Sequence, residues 1–327
     1  MQPRTPVAVF SLGGTISMSS LAGGEVVPSL GPAELVSAIP GLDRLPVALT
    51  LDAFRLLPAG TLAFANVLDL AAAIEAAFHA GKQGVVVTQG TNTIEETAFL
   101  LDLLHDRPEP VVVTGAMRNP TMAGHDGPAN LLAAIQTAAS PDSRDRGVLV
   151  AFNDEVHAAR WVRKTHTTNP AAFSSPETGP VGVVVESRVR FTGGPSARLR
   201  APRPTRTDVK VGLATATLGD EGDWLPAYAD RLDGLVVAGF GCGHVHGAWP
   251  PILERIGERI PVVFTSRIGV GPVLANTYGF DGSEADLIRR RLVGAGRLDP
   301  FKARILLWTL LAAGADHDAI RAAYAEA

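Results

Sequence analysis

Two short stretches hold more hydroxyls, amides and glycines than a chain reversal needs. SLGGTIS, residues 11–17, follows the apolar run 7–10, and TQGTNTIEE, residues 88–96, follows the run 85–87. Each reads strand, glycine, threonine, apolar residue. Glycine lets a backbone turn tightly and approach a ligand, and the threonine after it presents a hydroxyl at the strand tip. One such turn is ordinary loop chemistry. Two of them make Thr15 and Thr91 candidate nucleophiles facing one cleft, with Gly14 and Gly90 as the positions of close approach to a substrate. Thr93-Ile94-Glu95-Glu96 matches a capping box, so a helix starts here and its unpaired amides point to the same place, where they can hold an oxyanion or a carboxylate. Thr93 then caps the helix and Thr88 finishes the strand, while Thr91 and Asn92 have no task in the turn itself.

Other chemistries fit these residues less well. SLGGTIS lacks the G-x-G-x-x-G spacing of a dinucleotide fingerprint, and no acidic residue stands about 20 positions on after a second strand. Cys242, His244 and His246 crowd together with no second Cys/His pair elsewhere, so a turn after the run 235–238 is expected there rather than a metal site. There is no G-x-S-x-G elbow for a serine nucleophile.

The elements that must position these residues alternate along the chain. Short β-branched runs at 7–10, 85–88, 111–114 and 148–152, then at 209–214, 235–238 and 261–265, predict parallel sheets with helices on both faces. Helices are expected at 64–80, closed by Gly81, at 94–105 and at 128–139. VGVVVESRVRF, residues 181–191, reads as a hairpin turning at Glu186-Ser187-Arg188. Residues 192–208, TGGPSARLRAPRPTRTD, have no apolar period. They read as a linker between an N-terminal catalytic α/β domain at 1–191 and a smaller C-terminal α/β domain at 209–327, the latter ending in helices at 302–311 and 318–325. In open parallel sheets ligands gather at the carboxyl ends of the strands, where Thr15 and Thr91 stand.

Composition narrows the partners. With 327 residues, 46% hydrophobic and 19% charged, the chain has the balance of a compact two-domain protein. A net charge of −4 with scattered Lys and Arg argues against a nucleic-acid partner. The single cysteine, Cys242, allows no internal disulfide, no apolar window is long enough for a membrane span, and the opening MQPRTP carries no signal segment. These features predict a cytoplasmic protein with no membrane partner.

With LGGTIS (12–17) and TQGTNTIEET (88–97) as its two signatures, the chain resembles the bacterial-type L-asparaginase/glutaminase amidohydrolases. The likeness continues in order through VVVTGAMR (111–118), DGPANLLAAI (126–135), WVRKTHTTNPAAF (161–173), GLVVAGFGCGHV (234–245), PVVFTSR (261–267) and LDPFKARILL (298–307). The resemblance implies an α/β, two-domain asparaginase-like fold: a larger N-terminal, mostly parallel, flavodoxin-like sheet and a smaller C-terminal parallel α/β domain. It implies hydrolysis of a small carboxamide, L-asparagine or a related one, to acid plus ammonia without metal or other cofactor. It also implies sites between neighbouring subunits of a homodimer, usually paired into a homotetramer. Residue by residue, it makes Thr15 the nucleophile, Thr91 the second essential threonine and Lys164 the lysine coupled to Thr91. A threonine hydroxyl needs a neighbour to take its proton, and Lys164 can serve only if burial depresses its pKa. His244 aligns with a polar residue that reaches the adjacent subunit's substrate; a plain loop histidine is the alternative. Asp126 and Asn130 read as residues that cap and anchor the next helix.

Three departures from the family pattern bear on substrate. Asn92 stands where the family has an aspartate that holds the substrate's α-ammonium. Losing a hydrogen bond to a charged group costs about 1.5–3 kcal/mol, or roughly 10–100-fold in affinity. Ala59 and Gly60, in LPAGTL, occupy the place of side-chain donors for the α-carboxylate, leaving a backbone amide or Thr61 as substitutes. The loop MSSLAGGEVVP (18–28) lacks the tyrosine that assists the first threonine, with Ser19 or Ser20 as stand-ins. The outcomes open to such a chain are a slow asparaginase, an amidohydrolase for an amide without the α-ammonium, and a non-catalytic protein that retains a small metabolite.

Overall fold

In the computed structural model of the protein, residues 4–14, 16 and 31–327 are described, together with the backbone of 18–20 and 26–28. Thr15 lies outside the described residues, as do the side chains of Ser19 and Ser20. Contacts divide the chain into two units, Met1–Arg198 and Leu199–Ala327. The stretch 192–208 contains neither helix nor strand.

The first unit is organised by one eight-stranded sheet. Its strands and helices are β1 (Thr5–Ser11), β2 (Met18–Ser20), β3 (Val26–Pro28), α1 (Pro32–Ser37), β4 (Val47–Asp52), α2 (Phe64–His79), β5 (Gly84–Thr88), α3 (Ile94–Leu104), β6 (Val111–Thr114), α4 (Gly127–Ala139), β7 (Val148–Phe152), β8 (Glu155–Ala158), β9 (Arg163–Lys164), β10 (Phe173–Ser174), β11 (Gly182–Val185) and β12 (Arg188–Phe191). Five neighbours, β4-β1-β5-β6-β7, are parallel, and β8, β11 and β12 continue the sheet antiparallel beyond β7. Numbered among themselves, the parallel strands run 2-1-3-4-5. That is the flavodoxin-like order, in which the strand order reverses between the first and third strands and a crevice opens at their carboxyl ends. Here the reversal lies between β1 and β5, the two strands that lead into Thr15 and Thr91.

The central strands are buried on both faces, as their unbroken valine runs require. Val85, Val86 and Val87 are fully buried. Val7, Val9, Val86, Val112 and Leu149 face a cluster that includes Leu35 and Ile39 near α1 and Leu131, Ala134 and Ile135 of α4. The alternate residues face the other way, where α2 and α3 pack on β5, β6 and β7. α2 stops where expected: Ala80 caps it and Gly81 follows in a left-handed conformation, φ 84°.

Two local readings change, and one strand is added that the sequence did not announce. The 181–191 hairpin turns on two residues, Glu186 and Ser187 at φ 51° and 62°, and Arg188 already belongs to β12. β4 carries alternating exposure as an edge strand, and its mixed composition hides it among loops. The ends of the presumed loop 18–28 pair antiparallel as β2 and β3.

The second unit comprises β13 (Val211–Thr215), α5 (Leu225–Ala229), β14 (Gly234–Gly239), α6 (Trp249–Gly257), β15 (Val262–Ser266), α7 (Glu284–Arg289), β16 (Val293–Gly294), α8 (Pro300–Ala312) and α9 (His317–Ala325). β13-β14-β15-β16 form a four-stranded parallel sheet. α8 packs against β13, β14 and β15. Among the described residues, no helix is long and apolar enough to cross a membrane.

His157 of β8 is wholly buried, with its Nδ1 3.0 Å from Ser175 Oγ, and this ties β8 to the end of β10, whose Phe173 pairs with Lys164. Burial lowers its pKa to about 4. The unfolded chain therefore takes up a proton first, so this contribution to stability is complete above pH 6.5 and is lost as the pH falls toward about 4. At about 1.4 kcal/mol per pH unit it amounts to at most about 3 kcal/mol, with the Glu155 carboxylate 3.3 Å away reducing it. Urea unfolding at pH 7 and pH 4.5 should show a larger acid loss for the natural protein than for His157→Gln, and parallel losses would contradict this.

Candidate active site

The tips of β1 and β5 touch through glycine. A Cβ built on Gly14, which has φ 89°, would fall 2.1 Å from the Gly90 nitrogen and 2.2 Å from its Cα, and one on Gly90 would fall 2.7 Å from the Ala59 Cβ. No other residue permits this approach at Gly14, because both its backbone conformation and its space exclude a side chain. The residues that follow these two glycines are Thr15 and Thr91. The floor of the junction comes from the loop after β6. Asp126 accepts hydrogen bonds from the amides of Met117 and Arg118, and Asn130 Nδ2 donates to Gly115 O at 3.0 Å. Asp126 thus anchors this loop and makes no side-chain cap on α4, a correction to the capping role expected of it.

Thr91 is buried, and Lys164 Nζ donates to its Oγ1 at 2.8 Å. Lys164 comes from the short β9–β10 ribbon, and its backbone amide donates to Glu95 Oε2 at 3.1 Å. Burial pushes the Lys164 pKa below the ordinary lysine value, and the Glu95 charge opposes that shift without reversing it. The arrangement therefore favours proton exchange between Lys164 and a hydroxyl. Thr93 is the N-cap residue of α3, but it forms no capping hydrogen bond. Its Oγ1 donates to Ala59 O at 3.4 Å and accepts from Gln89 Nε2 at 3.3 Å. The hydroxyl read as a capping group instead ties the β5 turn to the 59–61 segment.

Asn92 is exposed and lines an open hollow of about 710 Å³ with Lys164, Thr165, His166 and Thr167. No carboxylate is among these lining residues. Ala59 is buried against Gly90, Gly60 is exposed, and a Cβ on Gly60 would lie 4.0 Å from Asn92 Nδ2. Thr61 Oγ1 donates to Pro58 O at 2.7 Å.

His244 lies in the second unit, in the turn after β14. Its Nε2 is 2.9 Å from Glu284 Oε2 and 3.1 Å from Cys242 Sγ, and Tyr278 and Phe280 stand edge-on to its ring. Glu284 is fully buried. Burial would raise its pKa, but amides of Tyr278 and Thr277 and the His244 ring together hold it low. Sequence reading passes over Glu284, whose setting after Gly282-Ser283 signals only a helix start.

Residues 6–197 match the family model described as Asparaginase, N-terminal, and residues 210–324 match the Glutaminase/Asparaginase C-terminal domain. The chain belongs to the asparaginase family. It is an amidohydrolase of that family, built on the two-domain fold that the resemblance implies. It is 36% identical to a protein of Deinococcus radiodurans named "Probable L-asparaginase", over 98% of this chain and 97% of that protein. It is 32% identical to the "L-asparaginase" of Bacillus licheniformis, over 94% and 95%. The solved structure of a probable cytoplasmic L-asparaginase from Campylobacter jejuni matches it with a TM-score of 0.86 at 29% identity, covering 98% of this chain and 99% of that one.

For this asparaginase-family chain, Gly14→Ala should cost more than Gly41→Ala. Both glycines have φ above 80° or equal to it, but Gly41 has nothing within 4 Å of a built Cβ. Gly41→Ala should lose only the conformational strain of about 1–2 kcal/mol. Urea unfolding should place Gly14→Ala at least about 2 kcal/mol lower still, and equal losses would remove the close contact from the account.

Proposed function

We propose that the chain hydrolyses the side-chain amide of L-asparagine or a related small carboxamide by acyl transfer. The observation that carries this reading is the 2.8 Å contact between Lys164 and Thr91 one residue beyond the Gly14–Gly90 junction. The Thr15 hydroxyl attacks the amide carbon and its proton passes to the amide nitrogen, so that the C–N bond breaks and the nitrogen leaves as ammonia. Water then adds to the acyl-threonine and releases the acid. Thr91 orients that water and passes its proton to neutral Lys164, and the lysine returns the proton through Thr91 to the Thr15 oxygen as the acyl bond breaks. Gly14, Gly90, Ala59, Gly60 and Asn92 shape the substrate's place. The names of the relatives favour L-asparagine, which is the substrate of the proteins so named.

Asn92 favours a second reading of the same site. Among the described residues, the lining of this hollow, Asn92, Lys164, Thr165, His166 and Thr167, brings no carboxylate to an α-ammonium, and a neutral or anionic amide suits these residues better than a zwitterion. A non-catalytic protein that holds such a metabolite is the limiting case. The active assembly in this proposal is a homodimer or homotetramer, in which His244 and Glu284 of one subunit serve a neighbour's site. A cytoplasmic location accords with the Campylobacter jejuni structure, whereas a Haemophilus influenzae relative is named periplasmic.

Ammonia release decides between these readings. Thr15→Ala and Lys164→Met should each lower kcat on the preferred amide by a factor of about 1,000 or more. Asn92→Asp should raise kcat/KM on L-asparagine roughly 10–100-fold while leaving amides without an α-ammonium unimproved. No amide hydrolysis by the natural chain or Asn92→Asp, with Thr15→Ala indistinguishable from both, would overturn the mechanism. Because Lys164 acts in its neutral form, the rate should climb as pH rises through its lowered pKa. Glu95→Gln removes the opposing charge, so the climb should move to lower pH; a move upward would contradict the role given to Lys164.

A further inference from the structure

The turn after β14 gathers three donor atoms of three chemical kinds. Cys242 Sγ, His244 Nε2 and a carboxylate oxygen of Glu284 lie within 4.8 Å of one another. Sγ is 3.1 Å and Oε2 is 2.9 Å from the imidazole nitrogen. Gly243, at φ 109°, makes the bend that lets residues 242 and 244 meet, and a Cβ there would press on the Phe264 ring at 3.1 Å. The backbone around them is tied down: His244 O accepts from Phe240 N at 2.7 Å, Cys242 O accepts from Leu274 N at 3.1 Å, and Ser266 Oγ donates to Gly241 O.

The surroundings orient these atoms as outer groups orient metal ligands. Glu284 Oε1 accepts from the amides of Thr277 at 2.9 Å and Tyr278 at 2.7 Å, which leaves Oε2 toward His244. Tyr278 and Phe280 each hold the imidazole edge-on with ring centroids 5.0 Å away. A single Nε2 hydrogen cannot point at both the sulfur and the carboxylate, whereas a cation between them draws a lone pair from all three. One thiolate, one imidazole and one carboxylate suit a borderline divalent cation such as zinc, and do not suit calcium or magnesium, which take oxygen donors.

We propose that Cys242, His244 and Glu284 form a three-ligand site for a divalent cation of the zinc class, with a fourth position open to water. Sequence spacing excludes such a site because it looks for a second Cys/His pair, and the third ligand is a carboxylate 40 residues beyond His244. His244 and Glu284 are shared with the assembly given under the proposed function, but zinc binding is measured without amide, so its failure and the failure of the hydrolytic reading are told apart.

The test uses the full chain after dialysis against a chelator. Zinc chloride is titrated by calorimetry in competition with a chelator of known affinity, and cobalt(II) is titrated by absorbance. One equivalent per chain and a near-ultraviolet thiolate-to-cobalt band are expected, with affinity rising with pH because the thiol must lose its proton. Cys242→Ser should abolish the band and weaken zinc binding by at least about tenfold, and His244→Gln should weaken it similarly. Glu284→Gln changes a buried group and is read only if its melting curve matches the natural protein's. Cys242→Ser, at a half-buried position, keeps the test decisive. Failure of the natural chain to bind one equivalent, or unchanged zinc affinity with the band intact in Cys242→Ser, would overturn the proposal.

Discussion

At the end of β1 and the end of β5, two backbones meet where no side chain fits. The contact between Gly14 and Gly90 is possible only because the parallel register of the strands, with Ser11 opposite Thr88, delivers both tips to the same level. That register follows from valine runs that must be buried on both faces and so admit helices on each side of the sheet. A side chain at either glycine would drive the tips apart, and with them the residues that follow. On the proposed reading, the chemistry needs this approach before the Lys164–Thr91 hydrogen bond can serve it.

Around the junction, each tether comes from a different element. Asn130 of α4 fixes Gly115 at the end of β6, Thr93 ties the β5 turn to Ala59, and Glu95 of α3 holds the backbone of Lys164. The lysine is thereby held beside Thr91 in a setting that depresses its pKa, since burial outweighs the nearby carboxylate. Glu95 serves two opposed ends: its oxygen positions the ribbon, and its charge limits how far the lysine's basicity falls. On the proposed reading, in which Lys164 is the base, Glu95 both places that base and tunes it.

Much of this was legible in the sequence. The repeated strand-Gly-Thr pattern marks the β1 and β5 tips, because few other needs bring a glycine and a hydroxyl to the end of two buried strands. Lys164 was different. Its ribbon is two residues long on each side and has no period to read, so only the resemblance to relatives drew attention to it. Thr93 misleads for a physical reason: the capping-box pattern describes local geometry, and a tertiary acceptor at Ala59 O competes for the same hydroxyl. Asp126 errs in the same direction, its carboxylate being spent on the 117–118 amides. Glu284 carries no local signal, because its link to His244 spans a loop and a turn that sequence spacing does not relate.

The central claim is that Lys164 exchanges its proton with Thr91 because burial has lowered its pKa. The most direct measurement is an NMR pH titration of the protein with isotope-labelled lysine side chains, the Lys164 resonance identified by its loss in Lys164→Met. The account predicts that Lys164 titrates below the ordinary lysine value of 10.5 and that Thr91→Val perturbs that titration. A Lys164 that titrates at or above 10.5 and is indifferent to Thr91→Val would contradict it.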